Sequence, residues 1–347
     1  MRRVSLALVL ILIGFSVSVS GRSLEIYFID VEGGAATLIV TPLGESILVD
    51  SGFAGDRDAG RIARVARDEA HLTQIDHYIT THWHRDHVGG IPRLVELIPV
   101  KRFYDHGLPT SAQADILPDL MEAYKKTVQA KNVTLSAGDE IKLRNAPSTP
   151  FVRLRVVAAN GVVEGEPPGS PQIRTCNPDQ KSVPEDKTDN ANSIGFVFTY
   201  GRFRFFDGGD LTWNVENKLV CPRDLVGEVD VYQVDHHGAD SSNNPSLVSA
   251  LSPRVAIINN GARKAGEVKT FATLRGTQGI EGIYQLHRNL LTTPNDNAPW
   301  TYIANEQENC QGEFIKLSVD QARKTFTVSI DAKQVSRKYR VGRVGRR

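Results

Sequence analysis

His82, His84, Asp86 and His87 stand close together in Thr81-His82-Trp83-His84-Arg85-Asp86-His87, with the pattern H-x-H-x-D-H. Three imidazoles and a carboxylate at this spacing could hold two divalent metal ions. The sequence before them, Ile75 to Thr80, reads as a buried strand, and Gly89-Gly90-Ile91-Pro92 after them opens a helix. The residues between then lie in a tight loop at the carboxyl end of a strand. His82 and His84 would point to one side of it, Asp86 and His87 to the other. Imidazole nitrogen mixed with carboxylate oxygen, and no cysteine, suits zinc best, with manganese or iron also served by such a set. One histidine in a surface turn would say nothing, but this spacing followed by Gly-Gly reads as a metal centre.

The segment T-H-W-H-R-D-H-V-G-G-I resembles the signature of the metallo-β-lactamase superfamily. The resemblance implies an α/β fold, a four-layer αββα sandwich, over residues 24–332, and one or two metals that activate water. Ser46 to Gly52 is similar to the family's early strand, whose aspartate, here Asp50, sits under the metal loop. Phe205-Phe206-Asp207-Gly208-Gly209-Asp210 is similar to the strand ending in Gly-Asp, which makes Asp210 the carboxylate between two metals. Asp230 to Gly238 is similar to the strand that delivers the last histidine. The His-His-Gly ending and Ile29-Asp30-Val31-Glu32-Gly33-Gly34 most resemble the hydrolase domain of ComEC-type competence proteins.

The chain also departs from the pattern. Superfamily members ordinarily give the first metal a third histidine ahead of the bridging aspartate, and no histidine lies between His106 and Asp210 here. In Thr188 to Ile194, Asn192 or Asp189 would have to stand in, and an asparagine carbonyl binds zinc more weakly than imidazole, so the first site is expected to be weak. Ala35 replaces an acidic residue usual in the ComEC-type opening segment.

The ligand set expected from this resemblance is His82, His84, Asp86, His87, Asp210 and His236, because neighbouring strand residues point oppositely and only one of His236 and His237 would face the metals. His237 is then either a residue that supports a ligand from behind or a leaving-group acid, and Asp86 also orients the nucleophile. Two divalent ions would lower the pKa of a shared water and polarise the substrate. Asp30 and Asp50 are expected to hold ligating histidines in one tautomer from behind. Asn260 and His287, at the ends of later strands, are candidates for substrate contact. Trp83 is expected to pack against the sheet, while Arg85 identifies no substrate.

At 347 residues and 40% hydrophobic, the chain can bury the core that two packed sheets need. Its net charge of +1 excludes a global polybasic field for nucleic acid. Residues 1–20, with Arg2 and Arg3 before an apolar run and Ser18-Val19-Ser20 after it, read as a secretory signal cleaved near Ser20, leaving no stable membrane span. Export to the periplasm or the exterior follows, and with it an oxidising setting in which two of Cys176, Cys221 and Cys310 could pair. Residues 333–347 are rich in Lys and Arg and read as a solvated tail. Glu164 to Lys187, rich in Pro, Gly and charge, reads as an insertion that is either disordered or a lid near the site.

Three functions are compatible with these residues. The first is hydrolysis of a phosphodiester, small or polymeric, including nucleic acid and cell-envelope phosphoesters. The second is hydrolysis of an ester, lactone or β-lactam amide. The third is a secreted metal-binding module without turnover, which Asp86 and Asp210 count against, because a structural zinc site is normally closed by four strong ligands.

Overall fold

The computed structural model describes residues 22–109, 115–165, 176 and 185–342. The proposed signal segment, most of the Glu164 to Lys187 insertion and the last five residues lie outside them.

Alternation along the first strand shows how the layers form. In Leu24–Phe28, Leu24, Ile26 and Phe28 enter one core while Tyr27 enters another, as a period of two requires. Strand Val255–Ile258 does the same, with Val255 and Ile257 on the inner face and Ala256 and Ile258 on the outer. Because both faces are covered, such strands read as unbroken apolar runs.

Two large sheets result. The first runs, in spatial order, from Val335–Arg340 through Thr325–Ile330, Ile315–Asp320, Leu24–Phe28, Thr37–Val40, Ser46–Val49, His77–Ile79 and Phe103–Asp105 to Asn132–Thr134. The second runs from Ile303–Asn305 through Gly282–His287, Val255–Ile258, Val231–Gln233, Phe203–Asp207, Gly195–Tyr200 and Val152–Ala159 to Glu140–Ile141. Their inner faces meet in a core built around Phe28, Phe196, Phe198 and Phe205. Helices Asp56–Arg64, Ile91–Leu97 and Pro118–Val128 cover the outer face of the first sheet. Helices Trp213–Val220, Pro245–Leu251 and Val268–Gly276 cover that of the second. This is the expected four-layer αββα sandwich.

The basic carboxyl segment is not a frayed tail up to Arg340. Residues Val335–Arg340 form an edge strand against Thr325–Ile330, anchored by buried Tyr339, whose hydroxyl lies 2.8 Å from that of Tyr284. Its charged side chains face outward, which is the way an edge strand resists pairing with another chain. No helix among the described residues is long and apolar enough to cross a membrane.

Two glycines let the metal loop rest on its neighbours. A Cβ on Gly90 would strike the Ser51 carbonyl oxygen, and one on Gly34 would strike that of Asp86. The close approach is fastened by backbone bonds from Ser51 N to His87 O (2.7 Å), Ala35 N to Asp86 O (3.0 Å) and Gly90 N to Gly52 O (3.0 Å). The Gly-Gly after the histidines is therefore a packing requirement of the site.

Candidate metal centre

Strand His77–Ile79 ends under the loop that carries the histidines, and His84 precedes a short helical turn, Arg85–Val88, that holds Asp86 and His87. Trp83 points away from them and is fully buried. Its ring packs on Tyr124 at 4.7 Å between centroids, and Nε1 donates to Gly107 O at 3.1 Å.

The histidines face one another through ring nitrogens. His82 Nε2 lies 3.0 Å from His84 Nδ1, and His87 Nε2 lies 3.1 Å from His237 Nε2. Asp210 Oδ2 sits between the pairs, 3.7 Å from His82 Nε2, 3.2 Å from His87 Nε2 and 3.4 Å from His237 Nε2. Asp86 Oδ2 is 3.4 Å from His237 Nε2 and 3.8 Å from His87 Nε2. Two overlapping donor groups emerge, His82–His87–Asp210 and Asp86–His87–His237, each within 4.8 Å. Bare imidazole nitrogens converging on carboxylate oxygens, all buried, form a donor set that fits divalent ions.

Electrostatics point the same way. Burial disfavours charge on both His82 and His87, and for His82 it prevails, with help from the neighbouring His87. At His87 the carboxylates of Asp210 and Asp50 overcome burial and hold the pKa well above the usual imidazole value. Burial would raise Asp210 too, yet His237, His87 and His236 hold it well below the carboxylate range. The site therefore selects positive charge between its carboxylates.

Asp50 lies directly behind His87. Oδ2 accepts from His87 Nδ1 and from Thr81 Oγ1, both at 2.7 Å, while Oδ1 accepts from Thr81 N at 2.8 Å. In the neutral ring that a metal ion would bind, the bond to Asp50 keeps the proton on Nδ1 and leaves Nε2 of His87 as the lone pair. Asp50 reaches this position through a left-handed backbone conformation, φ 60°.

Several expectations change. His236 and His237 do not lie in a strand, because Val231–Gln233 ends first and both histidines take left-handed conformations, φ 52° and 55°, in a short turn. The alternation argument therefore fails, and it is His237 that is buried against Asp86 and His87. His236 lies nearer solvent, with Nε2 3.6 Å from Asp210 Oδ2 and Nδ1 3.2 Å from Ser242 Oγ. Adjacent left-handed non-glycine residues are costly and concentrate at functional sites.

Asp189 and Asn192 do not fill the place of the missing histidine. Asp189 Oδ2 accepts from Trp83 N at 2.6 Å and lies 3.3 Å from His106 Nε2, and Asn192 Nδ2 donates to Asp189 Oδ1 at 3.1 Å. Asn190, between them, turns toward the centre instead. Its Nδ2 lies 3.5 Å from His236 Nε2 and its buried Oδ1 has no hydrogen-bond partner. His84, whose Nε2 is 3.1 Å from Asp115 Oδ2, completes that side.

Asp30 holds none of these histidines. Its partners are His287 Nε2 (2.9 Å) and Arg61 Nη1 (2.8 Å). Asn260 is likewise engaged in the fold, its Nδ2 donating to His287 O at 2.8 Å and to Gly261 O at 3.0 Å, so it has no amide hydrogen left for a substrate. Lys264 was not foreseen. Its Nζ pairs with Asp86 Oδ2 and donates to Gly33 O at 2.6 Å, placing a cation at the rim of the centre.

Residues 29–156 match the family described as Metallo-beta-lactamase superfamily. The fold is that of this superfamily. Among curated proteins, the chain is 32% identical over 101 residues to an atrochrysone carboxyl ACP thioesterase of Aspergillus fumigatus, covering 28% of this chain and 31% of the relative. It is 33% identical over 81 residues to thioesterase pkgB of Emericella nidulans, covering 23% of each. The matches thus span about a third or less of the length of these relatives. Among solved structures, CmlA, a diiron β-hydroxylase from Streptomyces venezuelae, aligns at 15% identity over 69% of this chain and 45% of that one, with a TM-score of 0.39. The metallo-beta-lactamase SMB-1 in complex with mercaptoacetic acid aligns at 17% identity over 56% and 63%, with a TM-score of 0.33.

Beneath the centre, Asp207 is fully buried, with Oδ1 accepting from Gly209 N at 2.9 Å and Oδ2 unpartnered. Burial pushes its carboxyl up to about 7. Between the usual carboxylate range and that value, the folded chain keeps a proton that the unfolded chain has released. Its contribution to stability is thus complete at low pH and is lost as pH rises. In metal-stripped protein, wild type should lose about 1.4 kcal/mol per pH unit relative to Asp207→Asn across that window. Urea melts of both proteins from acid to pH 8 measure this. A constant difference would show that Asp207 does not titrate in the fold.

Proposed function

We propose that the protein is an exported metal-dependent hydrolase that uses its histidine-aspartate centre to activate water, and that its substrate is a phosphodiester. The observation that carries the reading is Asp210 Oδ2, which lies within 3.7 Å of the imidazole nitrogens of both donor groups. His82, His84 and Asp210 would hold one ion and Asp86, His87, His237 and Asp210 the other. Zinc fits this mixture best and manganese next. When bound, such ions would supply a water of lowered pKa and polarise the scissile group.

The chain's own groups do the rest. Asp86 and Asp210 accept hydrogen bonds and can orient an attacking water, while Asp50 fixes the tautomer of His87. Lys264 Nζ, at the rim, can meet the negative charge of a phosphodiester. His236, nearer solvent and tied to Ser241 and Ser242, is placed to pass a proton to the leaving group. The His-His-Gly ending supports a place near the ComEC-type hydrolases within the superfamily, and nucleic acid is one polymeric form such a substrate would take. Export is supported by residues 1–20 and by the disulfide between Cys176 and Cys221, which suits an oxidising compartment.

A second reading, hydrolysis of an acyl ester, is favoured by the thioesterase names of the Aspergillus and Emericella relatives. The two are separated by assaying zinc- and manganese-loaded protein on bis(p-nitrophenyl) phosphate, an acyl thioester, a lactone and nitrocefin. The phosphodiester should turn over fastest. Faster cleavage of the thioester or lactone would replace the first reading with the second, and turnover of none by metal-loaded protein would leave the non-catalytic module.

A further inference from the structure

A second mixed-donor cluster lies apart from the histidine centre. It gathers Asp30 and Glu32, from the loop after strand Leu24–Phe28, with His287, at the end of strand Gly282–His287, and Cys310, from the segment before Ile315. His287 Nε2 is 2.9 Å from Asp30 Oδ1, 3.4 Å from Glu32 Oε2 and 3.8 Å from Cys310 Sγ. Cys310 Sγ is in turn 3.3 Å from Asp30 Oδ2 and 3.5 Å from Glu32 Oε1. Asp30 and His287 are fully buried, whereas Glu32 and Cys310 face a cavity of about 620 Å³ that gives access from solvent.

One donor atom from each of the four residues lies within 4.8 Å of the others, close to the spacing of a coordination tetrahedron. Zinc bonds of about 2.0–2.1 Å to nitrogen and oxygen and about 2.3 Å to sulfur put neighbouring donors roughly 3.3–3.6 Å apart. The charges agree as well. Two carboxylates and a thiolate against the Arg61 guanidinium, which donates to Asp30 and Glu32 at 2.8 and 3.0 Å, leave two negative charges for one divalent ion. Cys310 is free to serve because the other two cysteines are paired with each other.

We propose that Asp30, Glu32, His287 and Cys310 form a separate binding site for one thiophilic divalent cation of the zinc type. Sulfur and imidazole donors favour zinc or cobalt over magnesium, calcium and manganese. The ion ties a loop of the first sheet to the end of strand Gly282–His287 in the second. It also sets the wall of the histidine centre, since Glu32 leads into Gly33, whose carbonyl holds Lys264, and Ala35, whose N–H holds Asp86 O.

Sulfur makes the test specific, because the histidine centre contains none. Full-length mature protein loaded with cobalt(II) should show a near-ultraviolet thiolate-to-cobalt charge-transfer band. The band should persist in His82→Ala, which touches only the histidine centre, and vanish in Cys310→Ser and His287→Gln, together with one equivalent of bound metal. Wild type provides a measurement that no misfolded variant can confuse. Zinc should slow reaction of the Cys310 thiol with a disulfide reagent by about tenfold or more, and a chelator should restore it, because a coordinated thiolate is withheld from attack. Absence of the band in cobalt-loaded wild type, or a thiol rate unchanged by zinc, would overturn the site and leave Arg61 as the partner of an ordinary ion-pair network.

Discussion

Asp210→Ala should lower hydrolysis on the order of a thousandfold and reduce the metal held at the histidine centre to one ion or none. Asp210 Oδ2 lies 3.7, 3.2 and 3.4 Å from Nε2 of His82, His87 and His237 and so reaches into both donor groups, and its removal leaves the His82 side with no carboxylate donor. Asp86 cannot compensate, because its oxygen reaches the His87 and His237 side only. A cation there would then face three neutral or repelling imidazoles. The several kcal/mol that metal activation contributes to such a barrier convert to about three powers of ten in rate. Metal content by mass spectrometry and turnover should be recorded on the same samples. Retention of two tightly held ions with full activity would show that Asp210 is not shared between them, and the binuclear reading would fall. Asp210→Asn gives an intermediate case, since its carbonyl can still coordinate but carries no charge.

The extent to which the centre was legible follows from how local each part of it is. His82, His84, Asp86 and His87 are readable because their geometry is made by a few consecutive residues, and Gly89-Gly90 adds a packing signal beside them. Asp210 follows from its Gly-Gly-Asp turn at a strand end. The choice between His236 and His237 was not readable, because it depends on where Val231–Gln233 stops and on two left-handed conformations that no residue preference announces. Lys264 was hidden for a different reason. It reaches the site only because Gly261 packs against the backbone of Glu32 and Gly33, a contact across more than two hundred residues. Asn190 in place of Asn192 or Asp189 reflects a single tight turn, Asp189–Asn192, whose side-chain directions change completely with each residue. The carboxyl-terminal strand was masked by its own charges: only Tyr339 within Val335–Arg340 is fully committed to the core, so alternation there looks like a solvated run.

Asp50→Asn isolates how much of the centre's affinity comes from a residue that touches no metal. Asparagine keeps the shape of the side chain and tolerates the left-handed φ of 60°, so the backbone at this position need not move. Its carbonyl oxygen can still accept from Thr81 N, as Oδ1 does now at 2.8 Å. The amide nitrogen then falls where Oδ2 accepts from His87 Nδ1. A donor facing a donor is untenable, so the His87 proton shifts to Nε2, the nitrogen that looks toward Asp210 and His237. That proton occupies the lone pair a cation needs. Metal affinity should fall by about 10- to 100-fold, the usual cost of losing a carboxylate behind a ligating histidine. Activity should return in part at raised metal concentration, which a disrupted fold would not allow. Competition with a chromogenic chelator measures the affinity, and urea unfolding of the metal-free proteins measures the fold. An Asp50→Asn protein that binds metal as tightly as wild type would show that His87 does not depend on Asp50 for its tautomer, and that the αL turn at Asp50 serves packing of the metal loop alone.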